Sequence, residues 1–424
     1  MTEDFLQYIW QHRLYLTEGN VTADGEAVEP LYAGQLNRDA GPDFTDVRVR
    51  IGDTLWAGCV EVHLRSSDWE RHGHHADPAY NNVVLHVVYQ HDADVYNARR
   101  QKIPVMELHF DARYYDNYNR LAGNKARIAC HDEPRQMDDF SFASWMERLA
   151  VERLEQKYEN IMQTYSSTGN HWEETLYRRL ARNFGFSLNA LPFETLAKSL
   201  PLNILLKHWD HLQQLEALLF GQAGMLAEEN AADAYFAELQ KEYLYLQKKY
   251  RLEPMDRFLW KFLRLRPVNF PTLRIAQFAA LIHRNDHLFS QIMEAKSVET
   301  IEKLFDLKAS EYWDTHYVFG KETPKRVKTF GKQSIHTILI NTVVPFLFTY
   351  GKARGNNDYC TRAIGLLESL PPEKNAVLAS WEALGVRHPD AFASQALLQL
   401  TNEYCQTKRC LHCAIGNRIV RNIR

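Results

Sequence analysis

A chain of 424 residues exceeds what one hydrophobic core usually organises, so two domains, or one domain with a large extension, are expected. With 45% hydrophobic residues, 21 Tyr, 21 Phe and 9 Trp it can bury a sizeable core, which excludes a disordered protein. A formal net charge of −3 excludes a global electrostatic pull towards nucleic acid or membrane, so any anion-binding surface must be local.

In chain order, residues 3–16 place Phe5, Ile9 with Trp10, and Leu14 at helical spacing, which predicts one amphipathic helix. Residues 19–41 are rich in Gly, Asp and Asn, with a short strand expected over residues 28–32. A β-hairpin follows, turning at Gly52, Asp53 and Thr54 between two runs of period-two character. A three-residue loop pairs Ile51 with Leu55, Val49 with Ala57, Val47 with Cys59, Thr45 with Glu61 and Asp43 with His63 on one face. That face is apolar near the turn and acidic and imidazole-bearing at its far end.

Carboxylates at the end of an apolar sheet face are costly unless something offsets their charge. A bound cation does so. Asp43 and Glu61, with the carbonyl of Val62, suit Mg²⁺ or Mn²⁺. Such an ion activates water and steadies charge on a phosphoryl oxygen, and His63 is placed to position or deprotonate that water. The competing reading makes these residues strand and turn furniture, with Glu61 paired to Arg48 or Arg50.

Between the hairpin and a buried-looking strand at residues 83–89 lies a segment with His72, His74, His75 and Asp77. With His63 before it and His86 after it, His72, His74, Asp77 and His86 form a second candidate metal set, of the kind that holds Zn²⁺. Surface or hydrogen-bonding histidines are the alternative. Residues 103–110 read as a last strand. From about Asp138 the grammar becomes helical: Trp145, Leu149, Leu154, Tyr158 and Ile161 recur at helical intervals, then Trp172, Leu176, Leu180 and Phe184, ended by Gly185. Helices broken by Pro and Gly continue through the remainder, including an apolar run at residues 337–350 that is short for a bilayer.

Lys325, Arg326 and Lys328 lie in a locally basic segment that can hold phosphates, or can be an ordinary solvated charge run. Cys405, Cys410 and Cys413 are spaced by four and then two residues, and a metal there needs a fourth ligand from His412, Cys59, Cys130 or Cys360. Buried free thiols are the alternative. Six cysteines suggest no disulfide scaffold, and Thr2-Glu3-Asp4 after Met1 lacks the pattern of a secretory signal, so a reduced, cytoplasmic setting without a membrane partner is expected.

Pro42-Asp43, Glu61 and the order helix, strand, hairpin, connector, strand resemble the core of PD-(D/E)XK nucleases. The resemblance implies metal-dependent phosphodiester cleavage of DNA or RNA, with Asp43 and Glu61 as ligands. It also implies that an acid near the first helix can join the site, for which Glu18 and Glu29 are candidates, and that late cysteines with an early one can hold an iron–sulfur cluster. His63 stands where those enzymes place lysine, so the fixed positive charge at that position is missing. Along the whole chain, Leu36-Asn37-Arg38-Asp39-Ala40-Gly41-Pro42-Asp43-Phe44, Trp56-Ala57-Gly58-Cys59-Val60-Glu61-Val62-His63, Ser67-Asp68-Trp69, Asn82-Val83-Val84-Leu85-His86-Val87-Val88, Arg266-Pro267-Val268-Asn269-Phe270-Pro271 and Cys410-Leu411-His412-Cys413-Ala414-Ile415-Gly416 are similar to the bacterial domain-of-unknown-function 2851 family. That similarity implies no activity.

The expected fold is α+β: a nuclease-like mixed sheet with flanking helices over residues 1–135, then a large all-α domain over residues 136–424 that includes the cysteine-bearing tail. Three functions compete: a Mg²⁺- or Mn²⁺-dependent nuclease, a non-catalytic nucleic-acid or protein-binding scaffold on a degenerate nuclease fold, and a zinc hydrolase built on the histidine-rich segment.

Overall fold

Thr2 opens the first helix, α1 (Glu3–Gln11), by accepting a hydrogen bond from the Phe5 N–H, and the helix buries Phe5, Leu6, Tyr8, Ile9 and Trp10. It ends earlier than residue 16 because Arg13 takes a left-handed φ of 52°, after which Tyr15 bridges to Phe110. A computed structural model describes residues 1–133, 137–227 and 233–423. They form two units, residues 1–143 with 400–424, and residues 144–399.

The first unit carries a six-stranded mixed sheet. Strands β1 (Val28–Tyr32), β2 (Gln35–Leu36), β3 (Phe44–Ile51), β4 (Thr54–Arg65), β5 (Val83–Gln90) and β6 (Val105–Glu107) lie in the order β1-β3-β4-β5-β6, with β2 pairing to β3. The pairs made by β3 are antiparallel, whereas β4 with β5 and β5 with β6 are parallel. The last strand is shorter than residues 103–110 suggested.

The hairpin register differs from expectation. Ile51 pairs with Thr54, so the loop has two residues, and Arg50 faces Leu55, Val49 faces Trp56 and Val47 faces Gly58. Two-residue loops match the natural twist of paired strands, which favours them over the longer loop. One step of register alone would have turned Asp43 away from the site. A bulge corrects it: Asp46 adopts a φ of 58°, the register shifts between Phe44 and Val47, and Phe44 pairs with Val60.

A parallel β4–β5 pair needs a crossover. Residues 66–82 supply it through a single turn of helix, α2 (Asp68–Arg71), and a 3-10 turn (Pro78–Tyr80). The crossover is tied down where it leaves the sheet. Ser66 and Ser67 give their hydroxyl protons to Asp92, and Asp68 accepts from the Arg65 N–H.

The last residues of the first unit are a helix, Ala414–Arg421, that buries Ile415, Ile419 and Val420. It contacts α1 and a further helix, α3 (Ala112–Gly123): Arg421 Nε donates to the Tyr8 hydroxyl at 3.3 Å and Asn117 Nδ2 to the Val420 carbonyl at 3.3 Å. This grouping departs from the expected division, which left the tail with the helical domain. A strongly amphipathic helix needs an apolar partner, and the sequence does not say which element supplies it.

The described part of the second unit is helical. Its helix Pro271–Arg284 is buried at every position from Pro271 to Ile282, as expected for an element surrounded by others. The stretch Lys332–Arg354 is 23 residues of continuous helix, long and apolar enough to cross a membrane, with 72% of its apolar window buried in the protein. It widens into a π-helical turn at Leu339–Val343, just before Pro345, whose ring cannot donate the N–H that an α-helix requires there.

Candidate metal centre

Successive strand side chains alternate faces, so Glu61 and His63 point to the same side of β4. Both are buried, at 5% and 2% exposure. The crossover returns over this side. After α2, Gly73 takes a φ of 80°, a conformation that side chains with a Cβ rarely adopt, and His72 and His74 are brought back to the strand from either side of that turn. His63 Nε2 lies 3.1 Å from His72 Nδ1 and 3.5 Å from Glu61 Oε1, and His74 Nε2 lies 3.2 Å from the same Glu61 oxygen. The ligand atoms of His63, His72 and His74 fall within 4.8 Å of one another. A tetrahedral ion with bonds of 2.0–2.1 Å sets its ligands about 3.3 Å apart along each edge. The His63–His72 separation, and those of His63 and His74 from Glu61 Oε1, are close to that edge.

His86 supports the cluster from β5. It pairs in register with Glu61, is fully buried, and its Nε2 lies 2.9 Å from His63 Nδ1. Two neutral imidazoles this close share one proton. When His63 Nδ1–H is the donor, His63 Nε2 carries a lone pair, which accepts from His72 Nδ1. That is the usual way a second residue fixes the tautomer of a metal-binding histidine. Among the described residues His86 Nδ1 has no hydrogen-bond partner, so no second bond among them dictates its tautomer. Trp69 packs against His86 and His74, and the Tyr80 ring stacks on His74 at 3.8 Å. His72 is exposed and forms the solvent side of the cluster.

Asp43 approaches from β3. Its N–H donates to Glu61 Oε2 at 3.0 Å, and its Oδ2 accepts the Val62 N–H at 3.0 Å. Val62 therefore serves the site through its N–H, not through the carbonyl that the sequence suggests. Burial, and then the negative charge of Glu61, push the Asp43 carboxyl up to about 7, while the Val62 N–H and the Gln7 side chain act in the opposite direction. Burial, and then the neighbouring histidines and Arg71, lower His63 to about 2; burial, then His74 and His91, lower His86 to about 3. Both imidazoles are neutral at pH 7, the form that binds a metal.

Two residues of α1 that the sequence does not single out join this group. Gln7 hydrogen-bonds Asp43, and the carboxyl of Glu3, raised by burial, is within electrostatic reach of His72, Glu61 and Arg71. Glu3 holds the place for which Glu18 and Glu29 are the candidates by sequence. Glu29 instead pairs with Arg50 at 3.4 Å, which also removes Arg50 as a partner for Glu61. The hint in the sequence is that Glu3 and Gln7 are polar positions four apart, on one side of a helix that buries Phe5, Leu6, Tyr8, Ile9 and Trp10.

Other expectations are corrected. Asp77 stays outside the cluster: it is exposed and its Oδ1 accepts the Ala79 N–H at 2.9 Å, which starts the 3-10 turn. Lys328 is no phosphate contact. It is 5% exposed, its Nζ donates to the carbonyls of Trp313 and Asp314, and it lies 4.2 Å over the Tyr317 ring. Lys325 and Arg326 remain exposed. Cys405, Cys410 and Cys413 are buried in the first unit and form no disulfide.

A mixed sheet whose parallel crossover lays histidines over an acid on the neighbouring strand, followed by a helical unit, defines an α+β protein with a histidine-rich candidate metal centre. The chain belongs to the family described as protein of unknown function (DUF2851), whose model matches residues 3–376. Comparison with curated proteins and with solved structures finds no match.

Proposed function

We propose that this protein is a metal-dependent hydrolase of phosphodiester bonds in DNA or RNA, with His63, His72 and His74 holding the ion and Glu61 beside it. The observation that supports this most is the approach of two imidazoles to Glu61 Oε1 at 3.2 and 3.5 Å, with His72 Nδ1 3.1 Å from His63. A nitrogen-rich set favours Zn²⁺ or Mn²⁺ over Mg²⁺, which prefers oxygen ligands. A divalent ion there supplies Lewis acidity and a water of lowered pKa. Glu61, with Oε2 held by the Asp43 N–H, presents Oε1 to accept a proton. His86 orients His63. Arg71, exposed and within electrostatic reach of His63 and Glu3, offers the fixed positive charge that the lysine of nuclease cores provides. The phosphodiester substrate, and a cytoplasmic setting with nucleic acid as partner, rest on the likeness of the N-terminal element order to those cores.

A second reading has its own support. Glu61 Oε1 sits where a fourth ligand would, and a closed four-ligand site is typically structural, which suits a non-catalytic scaffold. One experiment separates the two: metal content of the purified chain, with cleavage of plasmid and single-stranded substrates in Mn²⁺ or Zn²⁺. Turnover lost in Glu61→Gln with the metal retained supports the hydrolase. Metal lost in Glu61→Gln, with an inactive parent, supports the scaffold. A parent that binds no Zn²⁺ or Mn²⁺ overturns both.

A further inference from the structure

The thiols that this reading leaves unused are gathered at one place in the first unit. Cys405 closes the π-helical turn Leu400–Cys405, Cys410 opens the 3-10 turn Cys410–His412, and Cys413 precedes the helix Ala414–Arg421. All three are buried and none is in a disulfide. Four residues and then two separate them, a spacing that holds three corners of a two-iron cluster, with the fourth ligand coming from elsewhere in the chain.

The fold presents a fourth thiol. Lys408, at a left-handed φ of 57°, donates from Nζ to the Asn124 carbonyl, and Asn124 Nδ2 in turn donates to the Ala129 carbonyl at 2.9 Å. These bonds lay the segment that contains Cys130 against the loop between Cys405 and Cys410. The alternatives are engaged elsewhere. His412 pairs with Asp4 at 3.2 Å, Cys59 lies on β4 beside Asn82, and Cys360, in the other unit, donates to the Phe348 carbonyl at 3.6 Å. At the far side of the loop, Gly416 lets the last helix pass so close to Cys410 that an added Cβ would stand 2.2 Å from the Cys410 carbonyl oxygen. Cys130 lies within electrostatic reach of Cys413 and Cys410, and Cys405 within reach of Cys413, Cys130 and Cys410.

We propose that Cys130, Cys405, Cys410 and Cys413 form a four-thiolate metal centre that holds an iron–sulfur cluster. Each thiol loses its proton to solvent on binding, and the Lys408 ammonium offsets part of the negative charge. The centre staples the end of the chain to the segment after α3.

The test is elemental analysis of the full chain purified without oxygen, for iron, acid-labile sulfide and zinc, with the visible absorption spectrum and far-UV circular dichroism. Expected are iron and sulfide in stoichiometric amounts and a visible band bleached by dithionite, both retained in Cys360→Ser and His74→Ala and lost in Cys130→Ser and Cys410→Ser. Zinc in place of iron, lost with Cys130→Ser and retained in His74→Ala, overturns the cluster. A parent with neither metal at the thiols, or iron retained at the parent level in well-folded Cys130→Ser, overturns the four-thiolate site. The His74→Ala arm keeps this outcome separate from the histidine centre.

Discussion

Asp43 and Glu61 are linked through the main chain: the Asp43 N–H bonds Glu61 Oε2, and the next N–H after Glu61, that of Val62, bonds Asp43 Oδ2, each at 3.0 Å. Each carboxylate thus fixes the other's strand, and Glu61 keeps one oxygen for the histidines.

The two halves of this link can be separated. Asp43→Asn keeps an acceptor for the Val62 N–H and carries no charge, so its stability near pH 8 should equal or exceed the parent's. Asp43→Ala leaves a buried N–H unpaired and should cost about 1–3 kcal/mol. Urea unfolding of both variants checks this, and equal losses would show that the hydrogen bond is unimportant.

Metal binding should follow the geometry. His63→Ala, His72→Ala and His74→Ala are expected to lose stoichiometric Zn²⁺ or Mn²⁺, while His75→Ala, exposed and outside the cluster, retains it. His86→Gln, which removes the group orienting His63, should weaken affinity by about 10- to 100-fold. Titration against a competing chelator measures each.

Acid should destabilise the first unit. His63 and His86 sit at about 2 and 3 when folded against an ordinary 6.5, so the stability they contribute is present above pH 6.5 and is lost as pH falls through the folded values. Asp43, raised from 3.8 to about 7, acts in the opposite direction: its contribution is present below 3.8 and is lost as pH rises through 7. Two imidazoles outweigh one carboxyl, so the urea midpoint of the metal-free protein should fall from about pH 6.5 to about pH 4.5. His86→Gln should flatten that slope.

Lys328 and Lys325 should behave differently. Lys328→Ala leaves two carbonyls without their ammonium donor and should cost about 2–3 kcal/mol in thermal unfolding. Lys325→Ala should stay within about 0.5 kcal/mol. If nucleic acid binds along this segment, Lys325→Ala should also flatten the salt dependence of binding, by about one unit of slope for each phosphate left without its cation.

Much of the framework was legible in local pattern. The strand Val28–Tyr32 and the helix Trp172–Phe184 with Gly185 after it lie where alternation and helical spacing placed them. The hairpin register was not, because an alternating run reads the same for a two- or a three-residue loop, and no residue type announces the left-handed Asp46. The histidines of the crossover were visible as candidates, yet their arrival over Glu61 depends on β4 and β5 being parallel, a fact of pairing between distant segments. Glu3 and Gln7 were hidden for the same reason: amphipathicity says that α1 covers something, and only the assembled sheet says what. Lys328 misled because its neighbours Lys325 and Arg326 are exposed, while the carbonyls it serves belong to Trp313 and Asp314, more than ten residues earlier.

The helix Ala414–Arg421 rests on α1 and α3, so the first unit is sewn shut by residues that follow the whole helical unit along the chain. During synthesis the sheet must wait, with Tyr8 and α3 uncovered, while the whole helical unit is made. A fragment cut after residue 143 would be left in that same unfinished condition, whereas residues 144–399 form the more natural piece to excise.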